Sequence, residues 1–365
     1  MTHRAHRRGG RSRAIVAGMA LLVAPLCAIS PAELPEARQP LPAIEAIHQT
    51  PPGPWAGRDD SLSVEAMPNL VTPDRRRAPG HAWASDPSEY RTPETVLPPA
   101  VPHLASNKNG FFQKLSFTGT EILPDGSDGL GIFETELFAA FAVPAPTRAS
   151  PLLIIPTLET HFLSGPKYAD LPPRLYATYL DFMWLPQVTE RLKGIVSVAP
   201  GWYSDFLGPD AAWFRLTGRG VARYDWVPEC LQVMLGVLYL DRHDRVITPV
   251  AGIIWKPQED WNLELVFPKA KIARRLSWGM GFENWAYLTG GFGGNDWSIH
   301  RAGNARERLT MLDWRLGAGW ERKLNGGAGL WFEVGYVFQR EFEFVGTGAR
   351  YEPDDTVLLR VGASY

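Results

Sequence analysis

The chain has 365 residues and a formal net charge of -2, with 37 Lys and Arg against 39 Asp and Glu. That balance removes any electrostatic case for nucleic acid or another polyanion as a partner. Aromatic residues make up 12 %, including 14 Trp, a load that suits a lipid–water boundary, where an apolar ring with a polar tip is at home.

The first thirty residues have the layout of an export signal. A basic stretch, MTHRAHRRGGRSR, precedes an unbroken apolar run from Ala14 to Ser30, and small residues between Ala28 and Ala32 offer a cleavage site. Arg7 and Arg8 are not followed by the apolar residues of a twin-arginine signal, so export by the ordinary Sec route is expected. Residues 31–105 are rich in Pro and charge and have no periodicity, as in LPEARQPLPAIEAIHQTPPGPWAGRDD. Pro withdraws sheet donors and interrupts helices, so this segment is expected to be a disordered periplasmic linker.

From Phe111 the texture changes, and residues 106–365 are expected to form one barrel. Period-two segments fall near 111–122, 131–143, 151–163, 174–185, 190–203, 212–226, 229–240, 245–256, 260–268, 270–278, 284–293, 308–322, 327–344 and 355–365. Turn chemistry such as LPDGSDG, LPQVTE, KPQED and LNGG separates them. The spacing is about eighteen residues from strand to strand, longer than the roughly eight to twelve of a soluble sandwich. The fold class expected is all-β, a transmembrane antiparallel barrel of about fourteen strands, with twelve as the alternative.

Parity sorts each segment into two faces, and the cost of charge in hydrocarbon together with the width of the barrel says which of them meets lipid. In FRLTGRGVARYDW, Phe214, Leu216, Tyr224 and Trp226 share one face, while Arg215, Arg219 and Arg223 share the other. Each arginine facing lipid near the midplane would cost about 2–4 kcal/mol, so the arginine face belongs inside. Phe133, Leu137 and Phe141 oppose Glu134 and Glu136; Leu180 and Phe182 oppose Asp181; Leu312, Trp314, Leu316 and Trp320 oppose Asp313, Arg315 and Glu321. In LWFEVGYVFQREFEF the expected outward set runs from Leu330 to Phe342 and Phe344, against Glu333, Gln339, Glu341 and Glu343, with Arg340 snorkelling at one end. A barrel of this strand number is expected to be too wide to fill with side chains.

From a periplasmic N-terminus, fourteen strands put the short turns in the periplasm and the longer GGNDWSIHRAGNARER and VGTGARYEPDD outside. The last strand then closes the barrel, and Tyr365 after alternating apolar residues looks like the signal read by the outer-membrane assembly machinery.

FFQKLSFTGT, DGLGI, DLPPRLY, PVAGIIWKPQEDWNLELVFPKAKIARRL and DDTVLLRVGASY resemble an uncharacterised family of bacterial outer-membrane β-barrels, a domain of unknown function. The resemblance covers about Phe111 to Tyr365 and is most specific from Pro249 to Leu276. It implies the fold and an outer-membrane location, and it brings no catalytic or binding residues.

Chemistry-bearing motifs are sparse. His161 sits at strand depth two residues after Glu159, but no serine is placed beside it as a hydrolase would need, and a lumen hydrogen bond is the simpler role. DRHDR, from Asp241, has two carboxylates and one imidazole and reads as a solvated loop before a metal site. GGFGGN, from Gly290, lacks the strand-to-helix context of a phosphate loop. No enzyme, cofactor or metal is expected. The expectation is a passive pore for small hydrophilic solutes, lined by Arg215, Arg219, Arg223, Glu134, Glu136, Glu159, Asp181, Glu333 and Glu341, with a structural outer-membrane anchor as the alternative. Its partners would be outer-membrane lipid, the assembly machinery and, through the linker, the cell wall.

Overall fold

The computed structural model describes residue 104 and residues 110–365 except 125, 127–128, 148, 167–168 and 208–213. The expected signal peptide and almost all of the expected linker lie outside these residues. Alternating polarity drives the chain into strands β1 (Phe112–Ile122), β2 (Gly131–Thr147), β3 (Ser150–Ser164), β4 (Arg174–Trp184), β5 (Leu192–Ser204), β6 (Phe214–Val227), β7 (Leu231–Tyr239) and β8 (Ile247–Trp255). These are followed by β9 (Trp261–Phe267), β10 (Lys269–Gly279), β11 (Phe282–Gly293), β12 (Asp296–Arg301), β13 (Ala305–Leu324), β14 (Gly329–Phe344), β15 (Ala349–Tyr351) and β16 (Thr356–Ser364). Each expected segment falls on one of them; β12 and β15 lie in stretches that the sequence predicts to be loops.

Of the sixteen strands, β12 and β15 stand aside, and the other fourteen form a closed antiparallel barrel. Neighbours in sequence pair throughout, with β11 joining β13 and β14 joining β16. Closure comes from β1 on β16, where Ser116 faces Ser364 and Ile122 faces Leu358. Tyr365 extends that seam by exchanging backbone hydrogen bonds with Leu115, both 2.8 Å. A closed ring leaves no unpaired edge, which is what a hydrocarbon environment requires of a sheet.

The exterior is a belt of apolar and aromatic side chains. On β6, Phe214, Leu216, Tyr224 and Trp226 are exposed while Arg215, Arg219 and Arg223 are buried. The same split puts Phe133, Leu137, Leu316, Leu330, Phe332, Val334, Leu359 and Val361 outside. So much exposed apolar surface around a ring with a charged interior is the inverse of a soluble protein and makes this a transmembrane barrel of the outer-membrane type.

The interior departs from expectation. It is filled, since even small inward residues such as Ser116, Thr120, Ala140, Ala177 and Ala199 are at most 2 % exposed. Part of the reason is an apolar sector on β2 to β9, where Phe138, Ile155, Met183, Val221, Met234, Val250 and Val266 cluster. On the facing sector glycines let large side chains lie flat: the Trp331 ring occupies the place a Cβ on Gly362 would take. A third filler is β12, which turns inward.

One parity expectation is corrected. On β14 a bulge at Gln339, whose φ is 50°, sets two residues against Asp313, since Leu312 pairs with Glu341 and Trp314 with Phe338. Beyond it every side chain changes face. Arg340 points inward and is buried, Phe342 and Phe344 are buried at 2 % exposure instead of facing lipid, and Glu341 turns away from the interior.

Candidate functional site

Among the described residues, charge collects under cover in the interior. Its centre is Arg315 on β13. The guanidinium donates to both Glu134 oxygens, each at 2.9 Å, and to Asp313 at 2.8 and 2.9 Å. Glu134 is on β2, so the bond reaches past β14, β16 and β1. A guanidinium suits this position because its planar fork can satisfy two carboxylates at once. Gly293 makes the room, as a Cβ there would run into Asp313 and Arg315.

Around this pair lies a small cavity of about 40 Å³, bounded by Thr118, Thr120, Glu134, Glu159, His161, Asn295, Trp297 and Arg315. The His161 ring sits between Glu134 and Glu159, at 3.7 and 3.9 Å, and meets Trp297 edge-on at 5.0 Å. Glu159 accepts a 2.6 Å hydrogen bond from the Tyr179 hydroxyl. His161 is thus framed by carboxylates and an indole.

Further pairs continue along the wall. Arg219 donates to Asp181 at 2.9 Å, Arg360 to Glu333 at 2.8 Å and to Thr120 at 3.0 Å, and Lys271 to Glu321 at 3.1 Å. Opposite charges are therefore interleaved rather than segregated into columns. Of the residues expected to line a pore, Glu134, Glu136, Glu159, Asp181, Glu333, Arg215, Arg219 and Arg223 are on the inner face. Glu341 is not: the β14 bulge turns it outward, where its carboxylate meets Arg350 at 2.9 Å.

Arg215 does something the sequence did not disclose. Its guanidinium stacks 4.5 Å over Tyr203 and donates to Asn295 Oδ1 at 2.9 Å and to the carbonyls of Asp296 at 2.7 Å and Leu240 at 2.6 Å. It is holding a hairpin in the mouth of the barrel. At Gly294, with φ 97°, the chain turns in against the Met311 carbonyl, and β12 pairs back on β13 from Asp296–Thr310 to Arg301–Ala305. The far edge of β12 meets β5 through the pair Ser298 and Ser204. Counting round the ring, β5 and β13 are seven strands apart in either direction, so the hairpin spans the full width.

Polar contacts tie it down. Asp205 accepts from the His300 backbone N–H at 2.6 Å and lies 3.0 Å from its Nδ1; Asp296 accepts from Arg308 at 2.9 Å and from the His243 N–H at 2.7 Å. Trp297 and Ile299, at most 1 % exposed, plug into an apolar layer with Ile132, Leu175, Tyr203, Met311 and Phe342. The signal for this was the alternation of Trp297 and Ile299 inside a supposedly solvated loop. Arg315 was visible as inward but had no visible partner, because the bond to Glu134 joins residues 181 positions apart.

No family model and no curated protein matches the chain. Among solved structures it is similar to a multiply substituted mutant of Rh. blastica porin, at 10 % identity over 70 % of this chain and 99 % of that one, with a TM-score of 0.27. A likeness that distant does not bear on the reading of the interior.

Proposed function

We propose that the protein is an outer-membrane channel of low conductance for small hydrophilic solutes, narrowed at its outer mouth by the β12 hairpin. The observation that carries this reading is the hairpin itself. A strand pinned across the full width of a closed barrel by Arg215 and Asp205 is in position to limit what passes, and the interleaved charges below it offer successive polar contacts to a small solute. Outer-membrane lipid is the surrounding partner of the exposed apolar belt.

Single-channel recording in planar bilayers tests the proposal. Wild-type protein should give small, discrete currents, and Asp205→Asn, which weakens the hold on His300, should raise conductance several-fold. Absence of current from both, in protein that still migrates as a folded barrel before boiling, would remove the channel. The second reading, a structural anchor without transport, would then stand. It is favoured by the cover over the inner face, where Asp181 is 0 % and Arg223 1 % exposed.

A further inference from the structure

The outer rim of the barrel is lowest where β9 meets β10. Phe267 is paired with Ala251 and Lys269 with Gly291, so Ile247–Val250 on one side and Phe292 and Gly293 on the other rise past the turn with no strand between them. The neighbouring β13–β14 edge is loosened by the bulge at Gln339. Between these two defects lies a cavity of about 370 Å³, the size of a small-ligand site.

Its lining has two characters. Phe292 and Trp314 form an aromatic floor continuous with the lipid-facing belt, since Trp314 is 38 % exposed beside Phe338. Over that floor two outer loops bring one cation, Arg245, and one anion, Glu352. The other charged groups are engaged: Asp313 holds Arg315, Arg340 donates to the carbonyls of Leu130 and Asp354, and Glu341 is paired with Arg350. Arg245 stacks 5.1 Å over Phe292, and among the described residues neither it nor Glu352 is in an ion pair.

We propose that this cavity seats the headgroup of a zwitterionic amphiphile of the phosphoethanolamine type, with Arg245 on the phosphate and Glu352 on the ammonium. A group of mixed charge is indicated because one side chain of each sign faces the space, and a bare anion would meet Glu352 unpaired. An amphiphile is indicated because the floor runs into the hydrocarbon belt, leaving a path for acyl chains past Trp314. The site does not depend on the channel reading, since the cavity opens at the lipid-facing rim.

Calorimetric titration of the full chain in detergent with dihexanoyl phosphatidylethanolamine tests it. Arg245→Gln and Glu352→Gln should each weaken binding by about tenfold, the factor lost with one charge-assisted hydrogen bond. Arg274→Gln, which removes an exposed cation beside Asp260 near the other end of β10, should bind as wild type does. Dihexanoyl glycerol, which lacks the headgroup, and free phosphoethanolamine, which lacks the chains, should each bind at least about tenfold more weakly than the lipid. Equal binding by both headgroup variants, or by dihexanoyl glycerol, would overturn the proposal. Free phosphoethanolamine binding as tightly as the lipid would overturn it in favour of a soluble solute. Unboiled gel migration confirms that each variant is folded.

Discussion

Single residues in this barrel matter most where charge is covered. Asp181 is completely buried and receives Arg219 at 2.9 Å, so removing its charge leaves a guanidinium without its carboxylate in a low-dielectric interior. Asp181→Asn should therefore destabilise the barrel by about 3–5 kcal/mol in equilibrium denaturation from lipid vesicles, the usual penalty for breaking such a pair from one side. An unchanged midpoint would mean that the Arg219 charge is met by something other than Asp181. Arg315 is held still more firmly, by two carboxylates from different strands, which is why it and not the Arg215, Arg219 and Arg223 row forms the centre of the interior. Arg215 is buried on the inner face, but its work is at the mouth, on the backbone of the hairpin.

At the scale of elements, two irregularities do what the regular strands cannot. The extra residue at Gln339 reverses the faces of β14 above it, which buries Phe342 and Phe344 beneath the hairpin and frees Glu341 for Arg350. Cysteine labelling checks this reversal. In Glu341→Cys the thiol should react with a membrane-impermeant maleimide added to intact cells, and in Phe342→Cys it should not; the opposite result would restore unbroken alternation. The inward turn at Gly294 is the other irregularity, and it converts a long connection into a strand that spans the ring. Alternation could be counted along the sequence at 308–322 and 327–344, but a bulge adds one residue without any composition change, so the reversal left no mark there.

For the molecule as a whole, the governing fact is the assignment of sides. Environment-sensitive probes on Leu216→Cys and Phe332→Cys should report hydrocarbon in vesicles, because both positions sit in the exposed belt of a closed ring. A water-like signal at both would contradict a transmembrane barrel altogether. The filled interior revises the picture of a wide bore. Fourteen strands enclose more space than their own side chains would occupy in a circular section, and the apolar sector, the flat-lying rings over glycine and the hairpin together take it up. Interleaved ion pairs in that setting brace the wall at least as much as they polarise a path.

The sequence by itself determined the all-β class, a barrel of about fourteen strands, their approximate positions and, short of the bulge on β14, the face that the cleanly alternating strands turn to lipid. It could do so because a side chain's face follows from parity, and because burying arginines in hydrocarbon is too costly for the opposite assignment. Only the tertiary structure decided what the inward residues do. Glu134 meets Arg315, Asp205 meets His300 and Arg215 meets Asp296 through pairings of strands distant in sequence, and neither the bulge at Gln339 nor the descent of β12 into the mouth obeys local periodicity. Parity is a local property that survives in one dimension; partnership across a ring is a property of closure and exists only in three.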